Sequence, residues 1–188
     1  MRLVKHGEIV DDPYMRLADD ALAADGAAVI ISAARLLADG ALVQRAGATG
    51  VLWPNNRSVT ELAPQLDRLA LVTLVFPSFK DGRAYSQARL LRERYRFRGE
   101  LRATGQILRD QFLFLYRVGF DAFDVTKTAD AQAFANALGR FSAFYQPAAH
   151  GLVIRHRICA STPTPAAMIS ATVTETTSQS GSTSARTS

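Results

Sequence analysis

A single cysteine, Cys159, stands among 188 residues. It excludes an internal disulfide, a cysteine zinc cage and a cysteine-ligated iron–sulfur cluster within one chain. Histidine is almost as scarce. His6 falls in a turn, His150 and His156 lie near the C-terminal tail, and no carboxylate sits at ligand spacing, so no metal site is expected. No apolar run approaches the roughly 20 residues that span a bilayer. The stretch from Met1 to Glu8 carries charges where a signal peptide needs an apolar segment. The expectation is a cytoplasmic protein without membrane contact. Neither G-x-x-x-x-G-K-[ST] nor G-x-G-x-x-G occurs, and Gly47-Ala48-Thr49-Gly50 precedes a strand instead of following one, which is the wrong context for a phosphate loop. No redox cysteine pair and no nucleophile–base pair stands out, so the residues name neither a cofactor nor a catalytic group.

What is present is an ordinary globular composition, 48% hydrophobic and 21% charged, with a net charge of +5. The charge is concentrated. Residues 80–117 hold Lys80, Arg83, Arg89, Arg92, Arg94, Arg96, Arg98, Arg102, Arg109 and Arg117 against Asp81, Glu93, Glu100 and Asp110, a net of +6. Arginine suits bidentate contact with oxyanions and carboxylates better than lysine does. A solvated helix face with local Arg–Glu pairs is the plain reading. An anion site, an acidic protein partner or nucleic acid are the functional ones. No helix-turn-helix, RRM or zinc-finger pattern accompanies the basic stretch, so nucleic acid is the weakest of the three.

Apolar runs alternate with helical periodicity. Arg2 to Lys5 and Glu8 to Val10 flank His6-Gly7 as a hairpin, followed by a polar link through Asp11-Asp12-Pro13. Strands are expected at Ala28 to Ile31, Gly50 to Trp53, Leu69 to Phe76, Gly99 to Ala103 and Phe120 to Val125. Helices are expected from Ala33 to Ala46, after Ser58 with its capping-box partner Glu61, from Arg83 to Arg96, from Gln106 to Val118, and from Thr128 or Asp130 to about Phe144. In the fourth, the run Phe112-Leu113-Phe114-Leu115-Tyr116 wraps the helix and implies burial on more than one side, by tertiary packing or in a subunit interface. In the last, Phe134, Leu138 and Phe141 share a stripe.

Five strands alternating with helices predict an α/β fold with a mainly parallel sheet of right-handed βαβ units. An open doubly wound sheet fits the length best. A partial (β/α) barrel is the alternative, since a full barrel needs ~250 residues. Residues 1–148 read as a single domain and 149–159 as an edge strand or linker. Residues 160–188, rich in serine and threonine, read as a disordered tail.

In parallel sheets, ligands bind outside the carboxyl ends of the strands. The loops expected there are 54–57, 77–83, 104–106 and 126–128. The second leads into a helix N-terminus with Lys80, Arg83 and Ser86, and the third brings Thr104 and Gly105, with Arg109 one turn on. If these two loops are neighbours, Lys80, Arg83, Ser86, Thr104, Gly105 and Arg109 form a candidate anion site. Its alternative is a structural role, with Arg109 pairing Glu100, Asp110 or Asp121. Arg89, Arg92 and Arg96, on other faces of the same helix, are a candidate partner surface.

The stretch from Phe76-Pro77-Ser78-Phe79-Lys80-Asp81-Gly82-Arg83 through Arg92 is similar to the signature of a bacterial family, domain of unknown function 934. So are Arg98-Gly99-Glu100-Leu101-Arg102-Ala103-Thr104-Gly105, Leu108-Arg109-Asp110-Gln111 and Gly119-Phe120-Asp121-Ala122-Phe123. Met1 to Val10 and Phe144-Tyr145-Gln146-Pro147 also fit, so the resemblance covers about residues 1–148. From about His150 the chain departs from the family. The resemblance implies an accessory role in assimilatory sulfate and sulfite reduction, as an oxidoreductase or an oxyanion-binding protein. A sulfur oxyanion or a nucleotide would be the ligand. The alternative it implies is a non-catalytic interaction or assembly partner of the sulfite reductase haemoprotein.

Overall fold

The short apolar runs become neighbouring strands of one sheet in the computed structural model, which describes residues 2–6, 8–125 and 128–140. The strands are β1 (Arg2–Lys5), β2 (Glu8–Val10), β3 (Met15–Arg16), β4 (Val29–Ser32), β5 (Thr49–Trp53), β6 (Leu71–Phe76), β7 (Glu100–Gly105) and β8 (Ala122–Val125). The helices are α1 (Ala33–Ala38), α2 (Arg83–Glu93), α3 (Phe112–Val118) and α4 (Thr128–Arg140). The expected edge strand near residues 152–158, the serine- and threonine-rich tail, Phe141 and the loop residues 126 and 127 lie outside the described residues.

The strand order is β2-β1-β8-β7-β6-β5-β4-β3. From β3 to β8 each strand lies parallel to its predecessor, while β1 pairs antiparallel with both β2 and β8. The order never reverses, so the sheet has no topological switch point and is not doubly wound. It curls into a half-barrel instead, the second of the two architectures the sequence left open. Consecutive right-handed crossovers running one way along a sheet keep their helices on one side of it. The packing agrees. Val29, Ile31, Val51, Trp53, Val72, Leu74, Leu101, Ala103, Phe123 and Val125 share one buried cluster with Leu36 of α1, Ala84 and Leu91 of α2, Phe112 of α3 and Phe134 of α4. Residues of the opposite, concave face, among them Leu3, Ile30, Leu71 and Ala122, are buried outside that cluster.

Several expected helices are shorter, and local capping explains why. Ser32 Oγ accepts from Arg35 N–H to start α1, and Asp39 then caps a separate 3-10 turn at Gly40–Gln44. The segment after Ser58 is two 3-10 turns, Val59–Leu62 and Leu66–Arg68. A further 3-10 turn, Arg109–Gln111, precedes α3, which stops at Gly119 with φ +111°. Phe112 and Leu115 are buried and Leu113 and Tyr116 half-buried, while Phe114 is 62% exposed, so the aromatic run of α3 leaves one side open. Phe112, Phe123 and Phe134 form one aromatic cluster, with Phe134 edge-to-face on both others, 4.7 Å from Phe112 and 4.4 Å from Phe123.

Gly105 ends β7 at φ +102°, and a Cβ there would lie 2.4 Å from the Phe76 carbonyl oxygen. That oxygen already accepts from Gln106 N–H at 2.8 Å. Gly105→Ala therefore meets both backbone strain and a backbone clash. The expected loss is about 1–3 kcal/mol, read as a lower urea midpoint at unchanged m-value.

Candidate functional site

β6 and β7 are adjacent, so the loops that follow them do lie side by side. Phe76 pairs with Gly105 in register, and Gln111 Nε2 donates to the Phe79 carbonyl at 2.9 Å. The side chains of the expected anion site nevertheless disperse. Arg83 folds back on Asp81, with Nε 3.0 Å from Oδ1 and Nη2 2.6 Å from Oδ2. Hydrogen bonds from the Arg83 side chain, then from its backbone N–H, hold the Asp81 carboxyl well below the usual carboxylate range. The same contact raises the pKa of Arg83. Lys80 and Ser86 are exposed, and Lys80 Nζ sits 5.6 Å from the Phe79 ring centroid. Thr104 is buried on the concave face and accepts from Arg16 Nη2 at 3.2 Å.

Arg109 is exposed and lines a cavity of about 360 Å³ with Asp110, Ala133, Asn136 and Ala137, between the 109–111 turn and α4. Among the described residues no carboxylate pairs with Arg109. Two of its three expected partners are otherwise engaged: Glu100 binds Lys5 and Arg102, and Asp121 binds Arg92. Tyr85 of α2 stands near this turn. Burial raises the pKa of its phenol, and the Asp110 charge adds to the rise.

The expected partner surface also divides. Arg89 is exposed and bridges to Glu93, and Arg96 is exposed at φ +54° just past α2. Arg92 turns inward. It donates from Nε to Gly119 O at 2.9 Å, from Nη1 to Phe97 O at 2.6 Å and Gly99 O at 2.9 Å, and from Nη2 to Asp121. Its side chain is only 14% exposed. The helical stripe places Arg92 off the apolar face, but the loop returning from α2 to β7 covers it.

The concave face holds a second polar group that sequence reasoning passed over. Arg102 of β7 is fully buried. Its guanidinium takes Asp12 in a fork, 2.6 Å from Nη1 to Oδ2 and 3.1 Å from Nη2 to Oδ1, and Glu100 Oε1 at 2.9 Å. Asp124 Oδ1 lies 3.8 Å away. Lys5 closes on Glu100 at 2.8 Å and Arg16 on Asp124 at 2.7 Å. Tyr14 covers the guanidinium, its ring centroid 5.6 Å from Cζ. Burial works against the charge on Arg102, but the bonds from Asp12 and Glu100 outweigh it and raise its pKa. The signal was in the alternation. A two-sided parallel strand reads as continuous apolar sequence, whereas Glu100-Leu101-Arg102-Ala103-Thr104 puts every polar residue on one face.

Among the described residues no His, Cys, Asp and Glu side chains gather as a metal-ligand set, and no helix is long and apolar enough to cross a membrane. A family model described as "Bacterial protein of unknown function (DUF934)" matches residues 50–153. That span contains β5 from Gly50 onward, β6 to β8, the 109–111 turn, α4 and Arg102. No curated protein matches the chain.

Proposed function

The chain belongs to the DUF934 family, whose model covers more than half of it, and from that premise we propose that it is an oxyanion-binding accessory protein of assimilatory sulfate and sulfite reduction. The observation that supports this reading is the cavity of about 360 Å³ beside Arg109. Its size suits a small molecule. Arg109 offers a guanidinium, Asn136 an amide donor and Asp110 an acceptor. That set suits an anion that also carries a hydrogen-bond donor, such as hydrogensulfite or a sulfated nucleotide with its ribose. Lys80, on the neighbouring loop, adds positive potential at the same end of the sheet.

Because Arg83 is committed to Asp81, the test falls on Arg109. Thermal unfolding of the full chain is followed against sulfite, sulfate, phosphate and adenosine phosphosulfate. Ligand at a hundred times its dissociation constant adds ~2.7 kcal/mol to stability. A saturable rise with a sulfur anion, lost in Arg109→Ala and kept in Arg83→Ala, is the expected result. Equal shifts in wild type and Arg109→Ala would remove the cavity from consideration.

A second reading, docking on the sulfite reductase haemoprotein, is favoured by Phe114, 62% exposed on α3, and by the exposed Arg89 and Arg96. Co-purification that falls with salt and is lost in Phe114→Ser would support it.

A further inference from the structure

Beyond the Arg109 cavity, we propose that the concave face is a binding site for a small carboxylate anion, occupied in this structure by the chain's own Asp12. The Asp12–Arg102 fork is the geometry in which a guanidinium takes a free carboxylate. Asp12 reaches it from the connection between β2 and β3, outside regular structure. Three carboxylates face three cations here: Asp12, Glu100 and Asp124 against Lys5, Arg16 and Arg102. Asp12 is the accessible one. Its side chain is 34% exposed, against 12% for Glu100 and 5% for Asp124. When Asp12 swings out, the remaining groups carry a net +1 around the Arg102 guanidinium. A buried charge without its partner is costly, so the vacated position selects an anion.

A second observation points to a ligand. Thr73 sits beside Arg102 on β6, in register and on the same face. It is fully buried, and its Oγ1 has no hydrogen-bond partner. Adjacent strands lie ~4.8 Å apart, so this hydroxyl is one strand from the fork. Asp12, tethered by its own backbone and by Tyr14 N–H donating to Oδ1 at 3.0 Å, leaves it unused. A free carboxylate has no such tether.

The test uses the full chain and acetate as probe. Calorimetric titration is expected to show acetate binding Asp12→Ala at least tenfold more tightly than wild type, because the internal competitor is gone. Asp12→Asn, which keeps the shape and loses the charge, should fall between them. In wild type, saturating acetate should speed hydrogen exchange at the Tyr14 amide, which loses its acceptor when Asp12 leaves. If Asp12→Ala does not fold, this exchange measurement in wild type decides alone. Acetate affinity equal in all three proteins, or an unchanged Tyr14 amide, overturns the proposal. Sulfite binding to Asp12→Ala where acetate fails overturns the carboxylate assignment. Binding abolished by Arg109→Ala would belong to the other cavity and also overturns it.

Discussion

Arg102→Ala is expected to lose about 3–5 kcal/mol of folding stability, the cost of removing one partner from a buried ion pair. Small proteins hold only ~5–15 kcal/mol in reserve, so the variant should be partly unfolded at 37 °C. Lys5 and Arg16 still neutralise Glu100 and Asp124, but Asp12 loses its cation and the segment bearing it loses its anchor. Tyr14 loses the cation beneath its ring as well. Asp12→Ala should cost less, because Glu100 and Asp124 still face the buried guanidinium once Asp12 is gone. Urea denaturation of the two variants side by side checks this. Equal losses would mean that the stability lies in the strap and not in the buried guanidinium.

Arg92→Ala carries the other large expected effect, again about 3–5 kcal/mol. One guanidinium serves the carbonyls of Phe97, Gly99 and Gly119 and the carboxylate of Asp121. Asp121 Oδ2 in turn accepts from Leu101 N–H at 2.8 Å. The side chain thus fastens the end of α2, the entry to β7 and the entry to β8 at one point. Lysine cannot reproduce a planar fork with this many donors, so Arg92→Lys should recover only a minor part of the loss. A fall in melting temperature of ~2–4 °C per kcal/mol is expected for a domain of this size. Faster proteolysis between residues 94 and 99 should accompany it. A wild-type melting temperature in Arg92→Ala would contradict this account.

The hairpin of β1 and β2 was legible because two short apolar strands flank His6-Gly7. His6 indeed takes φ +51°. The parallel strands were legible within two residues because their apolar runs are bounded by turn residues. Their spatial order was not. Whether a βαβ series winds one way or both depends on which neighbour each strand finds, and no residue encodes that locally. β3 escaped notice because two residues, Met15 and Arg16, show no period. It exists only because the Met15 and Leu17 N–H groups donate to the carbonyls of Ala28, just before β4, and of Ile30 on β4. The adjacency of the two loops, a condition the sequence could only pose, follows from the pairing of β6 with β7, yet Arg83 found Asp81 two residues away. Sequence spacing reports that such a pair is near. It does not report that the pair closes on itself. Arg102 was counted among surface charges because a buried arginine needs distant partners. Asp12 is 90 residues away in the chain.

The strand order also sets a schedule. From β3 onward each parallel strand can pair with the one made just before it, so the curled sheet can grow as the chain leaves the ribosome. The hairpin cannot join so early. Val4 of β1 is in register with Phe123 of β8, about 120 residues later, which at 5–20 residues per second is a wait of ~6–24 s. Through that interval Leu3 and Val4 have only β2 of their own hairpin beside them. The earliest strand of the sheet in chain order is thus among the last to find its place, and its docking marks a sheet whose eighth strand is complete.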